Sequence, residues 1–299
     1  MKPLLGAAGL LAVALVCTPQ LSAQWPSYPT PGASRTPDGG PILDAPTPRT
    51  PDGKPDLSGM WRGAGGGGGR GRGAAAGRGG GAQTAPAAPA APQTPAGPPR
   101  ATFGNVGSNI EGGLPFQPWA AELLEKRRST NSKDNPDAMC LPMGITQFHQ
   151  QPQPRMIVQT PRVILIMYEA NYGIRYIWMD GRPLPPQGEP QPWWYGYSVG
   201  RWEGDTLVVD TNNLRGAEAG PHDGWLDVRG SPYSDQATFT ERFRRPDFGR
   251  LEIDVTVDDP KAYTKPFTVR INQQVMIDTE LIEFVCNENQ QFRKRIVID

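Results

Sequence analysis

The sequence predicts an all-β protein whose strands form one antiparallel barrel. From residue 139 onward, short runs of alternating apolar and polar residues are joined by connections that carry Gly, Pro, Asn or Asp, as in antiparallel meanders. The clearest turn is Glu203-Gly204-Asp205, because Gly and Asp accept the backbone angles of a tight hairpin. Such a region can form a two-sheet sandwich or a barrel, and a barrel is favoured because closure removes the exposed edges.

About ten strands are predicted, and two of the connections between them are long. The long connections are 181–194 and 212–236, and long loops on a rigid β scaffold commonly carry binding sites. A barrel of about eight to ten strands leaves an interior that can hold one small ligand. The predicted strands are 156–160, 162–169, 173–180, 197–202, 206–211, 237–245, 250–258, 267–276, 278–285 and 291–298.

One helix is predicted ahead of the strands, at 118–128. Pro118 stands in its first turn, and Trp119 and Leu123 lie four residues apart on one face. Three basic residues at 126–128 end the helix where its dipole favours positive charge. We expect this helix to pack across the sheet or to close one end of the barrel.

The first 23 residues have the pattern of a secretory signal peptide. Lys2 precedes an apolar run at 4–16, and the small residues Ser22 and Ala23 stand before a cleavage site at Gln24. The apolar run is shorter than the roughly 20 residues that a membrane-spanning helix requires. We therefore expect a periplasmic or secreted protein without a membrane span after removal of the signal.

Two segments of different character follow the signal. Residues 24–55 repeat Thr-Pro and Pro-Asp-Gly and contain few apolar residues, so we expect this Pro-rich segment to be extended, mobile and disordered. Residues 56–62 contain Leu57, Met60 and Trp61, an apolar island that predicts a short docking segment. We expect it to add an edge strand or a plug to the main domain.

The remaining boundaries follow from composition. Residues 63–116 are rich in Gly, Ala and Pro and are expected to form a linker, since they offer little apolar surface to offset the entropy of ordering. Residues 117–136 hold the helix and its lead-in, and 137–299 form the barrel domain. The 30 basic and 30 acidic residues balance, so nothing in the charge predicts a nucleic-acid partner.

Two cysteines remain after removal of the signal, which contains the third. Cys140 and Cys286 lie near the two ends of the strand-rich region, and disulfides persist in the compartments to which exported proteins go. A bridge between them would contribute about 4 to 5 kcal/mol on the chain-entropy account. We expect the bridge, and the alternative is two buried free thiols.

Three charged residues are candidates for a site inside the barrel. The alternation places Glu241 on a strand face marked as buried by phenylalanines, and it places Arg201 and Arg175 on apolar faces of neighbouring strands. A carboxylate and an arginine turned into one barrel must pair, because an isolated buried charge costs several kcal/mol. Such a pair is a polar anchor for a ligand, an acid or base with a shifted pKa, or a structural ion pair.

Tryptophans supply the candidate apolar contacts. We expect Trp194, Trp202 and Trp225 near the barrel mouth, where with Trp193 they can stack on a sugar or another ring. The alternative is that these residues are strand formers and core fillers, as aromatic residues often are.

Catalytic and metal-binding patterns are missing from the sequence. His149 and His222 have no partner at a metal-ligand spacing, and Ser234-Asp235 lacks the context of a nucleophile elbow. The sequence also contains no phosphate loop, dinucleotide fingerprint or calcium loop. It therefore predicts no metal and no cofactor, and it leaves the catalytic residues unknown.

Several motifs resemble a large, uncharacterised family of exported bacterial proteins. They are TPDGKPDLSGMW at 50–61, GRWEGDTLVVDT at 200–211, TERFRR at 240–245 and DDPKAYTKP at 258–266. The resemblance implies a lipocalin-like β-barrel and carries no established activity. Members of that family commonly contain Gly-His-Pro-His-Ser-Asp where this chain has Gly-Ser-Pro-Tyr-Ser-Asp at 230–235, so any function of those histidines is in doubt here.

The function we expect is binding of a small, partly apolar molecule inside the barrel. One alternative is an isomerase, hydratase or hydrolase that uses Glu241 or Asp235 as a base. A second alternative is a structural or assembly protein of the cell envelope, tethered by its N-terminal region. The expected partner is a small-molecule ligand.

Overall fold

The fold is a closed barrel of nine strands, which confirms the all-β class and the barrel architecture. It is seen in a computed structural model that describes residues 28–64, 97–188 and 192–286. Neighbouring strands follow one another in sequence order, and β9 closes the ring onto β1. The strands are β1 Gly59–Gly63, β2 Arg155–Gln159, β3 Val163–Tyr168, β4 Ile174–Trp178, β5 Tyr197–Glu203, β6 Thr206–Asn212, β7 Thr238–Arg244, β8 Arg250–Asp258 and β9 Phe267–Met276.

Eight of the predicted strands correspond to β2 to β9, and the ninth strand comes from the apolar island at 56–62. This island forms β1, which pairs with β9 on one side and with β2 on the other. The prediction of a strand at 278–285 was wrong, because β1 occupies the edge of β9 that such a strand would need. The predicted strand at 291–298 lies outside the described residues.

One pair of neighbouring strands is parallel. All neighbours are antiparallel except β4 and β5, which the long connection between them brings into the same direction. A ring with an odd number of strands cannot close with antiparallel pairs alone, so one parallel pair is required. The register of this pair covers two positions, Ile177 with Ser198 and Trp178 with Val199. We call this short pairing the seam of the barrel.

Two helices lie at one end of the barrel. Helix α1, Pro118–Ser129, confirms the predicted helix, and helix α2, Ile145–Gln150, was not predicted. In α2, Phe148 stacks on Tyr168 at the end of β3, with ring centroids 4.1 Å apart. The helix α2 therefore covers the end of the barrel at which β3 finishes.

Helix α1 fastens the long loop that follows β6. Its buried Arg127 donates hydrogen bonds to the carbonyl oxygens of Asp223, Gly224 and Gly230, at 2.8, 2.9 and 3.0 Å. The same guanidinium lies 4.1 Å from the ring centroid of Trp225. Burial lowers the pKa of Arg127 to about 10, and the three carbonyl dipoles stabilise the charge that remains.

Residues 28–58 form a strap across the opposite end of the barrel. Phe248 and Gly249, in the turn between β7 and β8, donate backbone hydrogen bonds to Ala45 and Leu43 at 2.8 and 2.7 Å. Leu57 of the strap is buried in the core. The expectation of a mobile segment was therefore wrong for residues 28–55, since a few well-placed apolar residues and backbone hydrogen bonds hold it.

The strap contains a repeated element, Arg-Thr-Pro-Asp-Gly, at 35–39 and at 49–53. In both copies the threonine amide donates to the carbonyl four residues later, at 2.8 and 2.9 Å, and the arginine donates to the glycine carbonyl, at 3.1 and 2.9 Å. Arg35 then pairs with Asp278 after β9, and Arg49 pairs with Asp205 in the turn between β5 and β6 at 2.6 Å. We call each copy a clip, because it joins the strap to a carboxylate of the barrel domain.

The predicted linker is also ordered in part. Pro99 and Ala101 form backbone hydrogen bonds with Arg270 of β9, each at 2.8 Å, and Val106 is fully buried. The linker prediction was therefore wrong for residues 97–116, which bond to β9 beyond the end of its pairing with β1. Residues 65–96 and the predicted signal peptide at 1–23 lie outside the described residues.

The expected disulfide between Cys140 and Cys286 is confirmed, with Cα atoms 5.6 Å apart. It joins the segment after β9 to the 3₁₀ helix Pro136–Met139, which precedes α2. None of the helices in the described part of the chain is long and apolar enough to cross a membrane.

Candidate functional site

Three ionisable side chains meet inside the barrel, from α2, β4 and β7. His149 donates from Nε2 to Oε1 of Glu241 at 2.7 Å, and Arg175 donates from Nη1 to the same oxygen at 3.0 Å. The second carboxylate oxygen accepts from Nη2 of Arg175. All three side chains are almost completely buried. We call this arrangement the buried cluster.

Hydroxyl groups complete the coordination of the arginine. Nε of Arg175 donates to Oγ of Ser198 at 3.2 Å, and Nη2 donates to Oγ1 of Thr211 at 2.9 Å. The two hydroxyl groups are themselves 2.9 Å apart. Every nitrogen of this guanidinium therefore has an acceptor, as a buried charge requires.

The buried cluster holds one ion pair and a neutral imidazole. Burial alone would raise the pKa of Glu241, but the charge of Arg175 and the hydrogen bonds from His149 and Arg175 outweigh burial and lower this pKa to about 2. Burial lowers the pKa of His149. A neutral imidazole that donates through Nε2 has Nδ1 as an acceptor, and Nε2 of Gln273 lies 3.4 Å from it.

A second buried arginine holds the end of α2. Arg155 of β2 donates to the backbone carbonyls of His149, Gln151 and Gln153, the last two at 2.7 and 3.1 Å. These carbonyls follow or end the helix, where the helix dipole favours a cation. Burial lowers the pKa of Arg155 to about 10. The position of His149 is therefore set by β2 as well as by Glu241.

The rim of the buried cluster is polar and less completely hydrogen-bonded. Among the described residues, Oη of Tyr168 and Oε1 of Gln273 are buried without a partner. Burial raises the pKa of Tyr168 to about 12, so its phenol stays neutral. These two neutral groups add no charge to the buried cluster, so its net charge is set by Glu241 and the arginines.

The geometry brings together two of the three predicted charged site residues. Glu241 and Arg175 form the buried ion pair, whereas Arg201 lies on the outer face with 54% of its side chain exposed and pairs with Glu203 at 3.2 Å and with Asp210. The face predicted for Arg201 was wrong, because Ser198 of the same strand points inward. Outward apolar residues of β5 made its outer face look buried.

The three predicted tryptophans lie in three different environments. Trp225 is buried in the long loop, where its indole donates to the carbonyl of Pro221 at 3.0 Å. Trp202 is partly buried and packs against the core. Trp194 lines an open groove on the outside of the barrel. Only one of the three therefore reaches a surface that a ligand can enter.

This groove, with a volume of about 360 Å³, lies at the seam. It is lined from one side by β4, at 174–176 and 178, and from the other side by 193–198. Because the register of β4 and β5 covers only two positions, the residues of β4 before Ile177 have no strand partner on this side. The short parallel pairing therefore opens the space that the groove occupies.

Aromatic rings form both walls of the groove. Tyr176 and Trp178 alternate on the outer face of β4 and stack with ring centroids 6.0 Å apart. Trp193 and Tyr197 form the opposite wall, with ring centroids 5.3 Å apart. Tyr176 and Trp193 are 49% and 36% exposed. An exposed aromatic patch with two walls is a common feature of ligand-binding grooves.

An arginine bridges the two walls of the groove. The guanidinium of Arg182 lies 3.9 Å from the ring centroid of Trp178 on one wall and donates to Oη of Tyr197 on the other wall at 3.1 Å. Asp180 pairs with this arginine at 2.6 Å, so the bridge carries no net charge. The two walls of the slot are therefore joined through Arg182.

The tryptophans fall into two groups, according to whether the indole N–H has a hydrogen-bond acceptor in the described structure. Trp61 and Trp119 donate to the backbone carbonyls of Leu57 and Lys261, at 3.0 and 2.5 Å, and Trp225 also has a carbonyl acceptor. In the described parts of the chain, no acceptor is present for the indoles of Trp178, Trp193, Trp194 and Trp202. Three of these four free donors belong to the groove.

Sequence reasoning missed parts of both sites for different reasons. His149 has no nearby partner in sequence, since Glu241 is 92 positions away. Tyr176 and Trp178 stand in a strand whose two faces are both apolar, so alternation does not show which face is exposed. A signal for the groove is present in the pair Trp193 and Trp194, which the sequence places in a long loop.

The described residues include no group of three or more His, Cys, Asp or Glu placed to hold a metal ion. Comparison of the chain with protein-family models, with curated proteins and with solved structures found no match.

Proposed function

We propose that this chain is an exported binding protein that holds a small, partly apolar, ring-bearing molecule in the groove at the seam. The observation that carries the proposal is the pair of aromatic walls around an open slot of about 360 Å³. Small-molecule sites are typically concave and mostly apolar, with a few polar groups that orient the ligand. The slot has this composition.

The groove is a better candidate than the interior of the barrel. Glu241 and Arg175, which the sequence suggested as anchors for a ligand, bond to each other and to neighbouring side chains. The inward side chains of the strands also belong to one continuous buried cluster of apolar residues. A ligand inside would have to displace these contacts, whereas a ligand in the groove displaces water.

The proposal that the protein is exported rests on the sequence of residues 1–23 and on the disulfide. The signal-like sequence at 1–23 and the disulfide between Cys140 and Cys286 both favour an oxidising compartment. The resemblance to exported bacterial proteins supports the same localisation, in the periplasm or the medium.

Native mass spectrometry of protein purified from its natural host tests the proposal. We expect an additional mass of a few hundred daltons, on the scale of a drug-sized ligand, that is lost on denaturation. The double variant Trp178→Ala/Trp193→Ala should carry no such mass, whereas the control Trp119→Phe should retain it. A bound molecule that persists in the groove variant, or a bare wild-type protein, contradicts the proposal.

A further inference from the structure

We propose that the molecule bound in the groove is a neutral saccharide, an inference that rests on the proposed function and names its ligand class. The groove offers flat apolar faces, free hydrogen-bond donors and no net charge. A sugar ring has apolar C–H faces and a rim of hydroxyl oxygens, and it carries no charge.

The aromatic walls suit a ring with apolar faces. Tyr176 and Trp178 stack on each other, with their planes 17° apart. Trp193 and Tyr197 are tilted by 52° with respect to each other. A ring that enters the groove buries apolar area against the aromatic carbon of these residues, and burial of apolar area is the main favourable contribution to such binding.

The free indole donors require acceptors on the ligand. Trp178, Trp193 and Trp194 have no acceptor within the described residues, and a ligand that fills the slot removes water from them. A purely hydrocarbon or aromatic ligand would leave these donors unsatisfied once water is removed from them, which is unfavourable. Hydroxyl and ring oxygens around a sugar can supply the acceptors.

The charges around the groove are already balanced. Arg182 pairs with Asp180, Arg215 pairs with Asp223 at 2.8 Å, and Arg175 pairs with Glu241. A charged sugar would have to compete with one of these carboxylates or arginines for its partner. The groove therefore favours a ligand without charge.

The bridge between the walls favours a compact ring over an extended peptide. Proline-rich peptides also bind between aromatic side chains, but they need a groove that an extended chain can pass through. Here Arg182 contacts Trp178 on one wall and Tyr197 on the other, so an extended chain that ran between these two residues would meet this bridge. A single sugar ring does not need to pass it.

A binding screen with defined probes tests this inference. The purified full-length chain is applied to an array of neutral mono- to tetrasaccharides, and hits are measured by isothermal titration calorimetry. Galacturonate, indole and a proline-rich peptide are measured in parallel. We expect saturable binding of a neutral saccharide and much weaker binding of the other three probes.

Conservative variants distinguish the contribution of the indole N–H groups to affinity from the contribution of the aromatic rings. Trp178→Phe and Trp193→Phe keep an aromatic ring but remove the indole N–H, and each should weaken saccharide binding about 2- to 10-fold, the effect of one hydrogen bond. Trp202→Phe is the matched control, since Trp202 also lacks an acceptor but packs against the core outside the groove. Affinity that is unchanged in both groove variants overturns the role of the donors.

The outcomes distinguish this inference from the proposed function. If no neutral saccharide binds, but indole or the proline-rich peptide binds and loses binding in Trp178→Ala/Trp193→Ala, the saccharide inference fails and the proposed function stands. If no probe binds and the protein from its host carries no additional mass, both fail. Preferential binding of galacturonate overturns the argument from charge.

Discussion

The buried cluster and the groove are both built around β4 and β5, yet they differ in how completely their polar groups are satisfied. Inside, Arg175 of β4 has an acceptor for each nitrogen, and Glu241 has donors on both oxygens. Outside, the indole of Trp178 on the same strand has no acceptor in the described structure. The charged groups inside the barrel therefore bond to one another, whereas the outer face of the same two strands leaves indole N–H groups available to a ligand.

Removal of the buried carboxylate should give the largest loss of stability. Glu241→Ala leaves Arg175 charged and without its main partner in the core, and breaking a buried ion pair in this way costs about 3 to 5 kcal/mol. Urea unfolding of the variant measures the loss. Glu203→Ala is the control, because this surface carboxylate pairs with exposed Arg201 and should contribute about 1 kcal/mol or less. Similar losses in the two variants would remove the contrast between core and surface.

The buried histidine should make the fold sensitive to mild acid. Burial lowers the pKa of His149 in the folded state, so the unfolded chain takes up a proton first as the pH falls below about 6.5. Stability should then fall by up to about 1.4 kcal/mol for each pH unit. Glu241 adds to this loss only below the ordinary pKa of a carboxyl group, since its own pKa is lowered to about 2.

His149→Gln should remove the loss of stability that begins below about pH 6.5, while the amide retains a donor for Glu241. Free energies of unfolding at several pH values measure the slope. The matched control is His222→Gln, at the second of the two histidines of the chain. A slope that persists in His149→Gln and disappears in His222→Gln would show that the wrong histidine has been identified.

Variants of the groove should alter binding and leave stability nearly unchanged. The rings of Trp193 and Tyr176 are partly exposed and lie outside the core, so Trp193→Ala and Tyr176→Ala should each cost about 1 kcal/mol or less. Thermal unfolding without ligand measures this cost, and titration with the bound molecule measures the loss of affinity. A loss of several kcal/mol on unfolding would mean that these rings are part of the core.

The clips of the strap should have the smallest effect. Arg49→Asp places two acids together at an exposed site and should lower stability only slightly, seen as faster hydrogen exchange at Thr50 and Gly53. The charge-swapped variant Arg49→Asp/Asp205→Arg should slow that exchange again. If the swap exchanges as fast as the single variant, the clip is not held by this ion pair.

The sequence was sufficient for most of the barrel because strand alternation is a local signal. Alternation also placed Glu241 and Arg175 on inner faces, and their pairing followed from the cost of an isolated buried charge. The same signal failed for Arg201, because apolar residues also stand on the outer face of β5, where Tyr197 contacts Trp193 of the preceding loop. Arg201 on that face is 54% exposed, so apolar residues alone do not show which face of β5 is buried.

The remaining features depend on contacts between distant parts of the chain. His149 lies on a helix of six residues, too short for a helical pattern, and its partner is 92 positions away. The strap has few apolar residues, and its order comes from backbone hydrogen bonds and from carboxylates such as Asp278. The groove exists because β4 and β5 pair over two positions only, and no local pattern encodes that register.

The most direct test of the account is the NMR spectrum of the ¹⁵N-labelled indole groups, assigned by single Trp→Phe variants. Without ligand, the N–H groups of Trp178, Trp193 and Trp194 should exchange rapidly with water, whereas Trp61 and Trp225 should exchange slowly. On addition of the molecule recovered from the native protein, or of the neutral saccharide that binds best, the three groove signals should shift together while the other two stay in place. Shifts at Trp61 or Trp225 with a silent groove would place the ligand elsewhere and contradict the account.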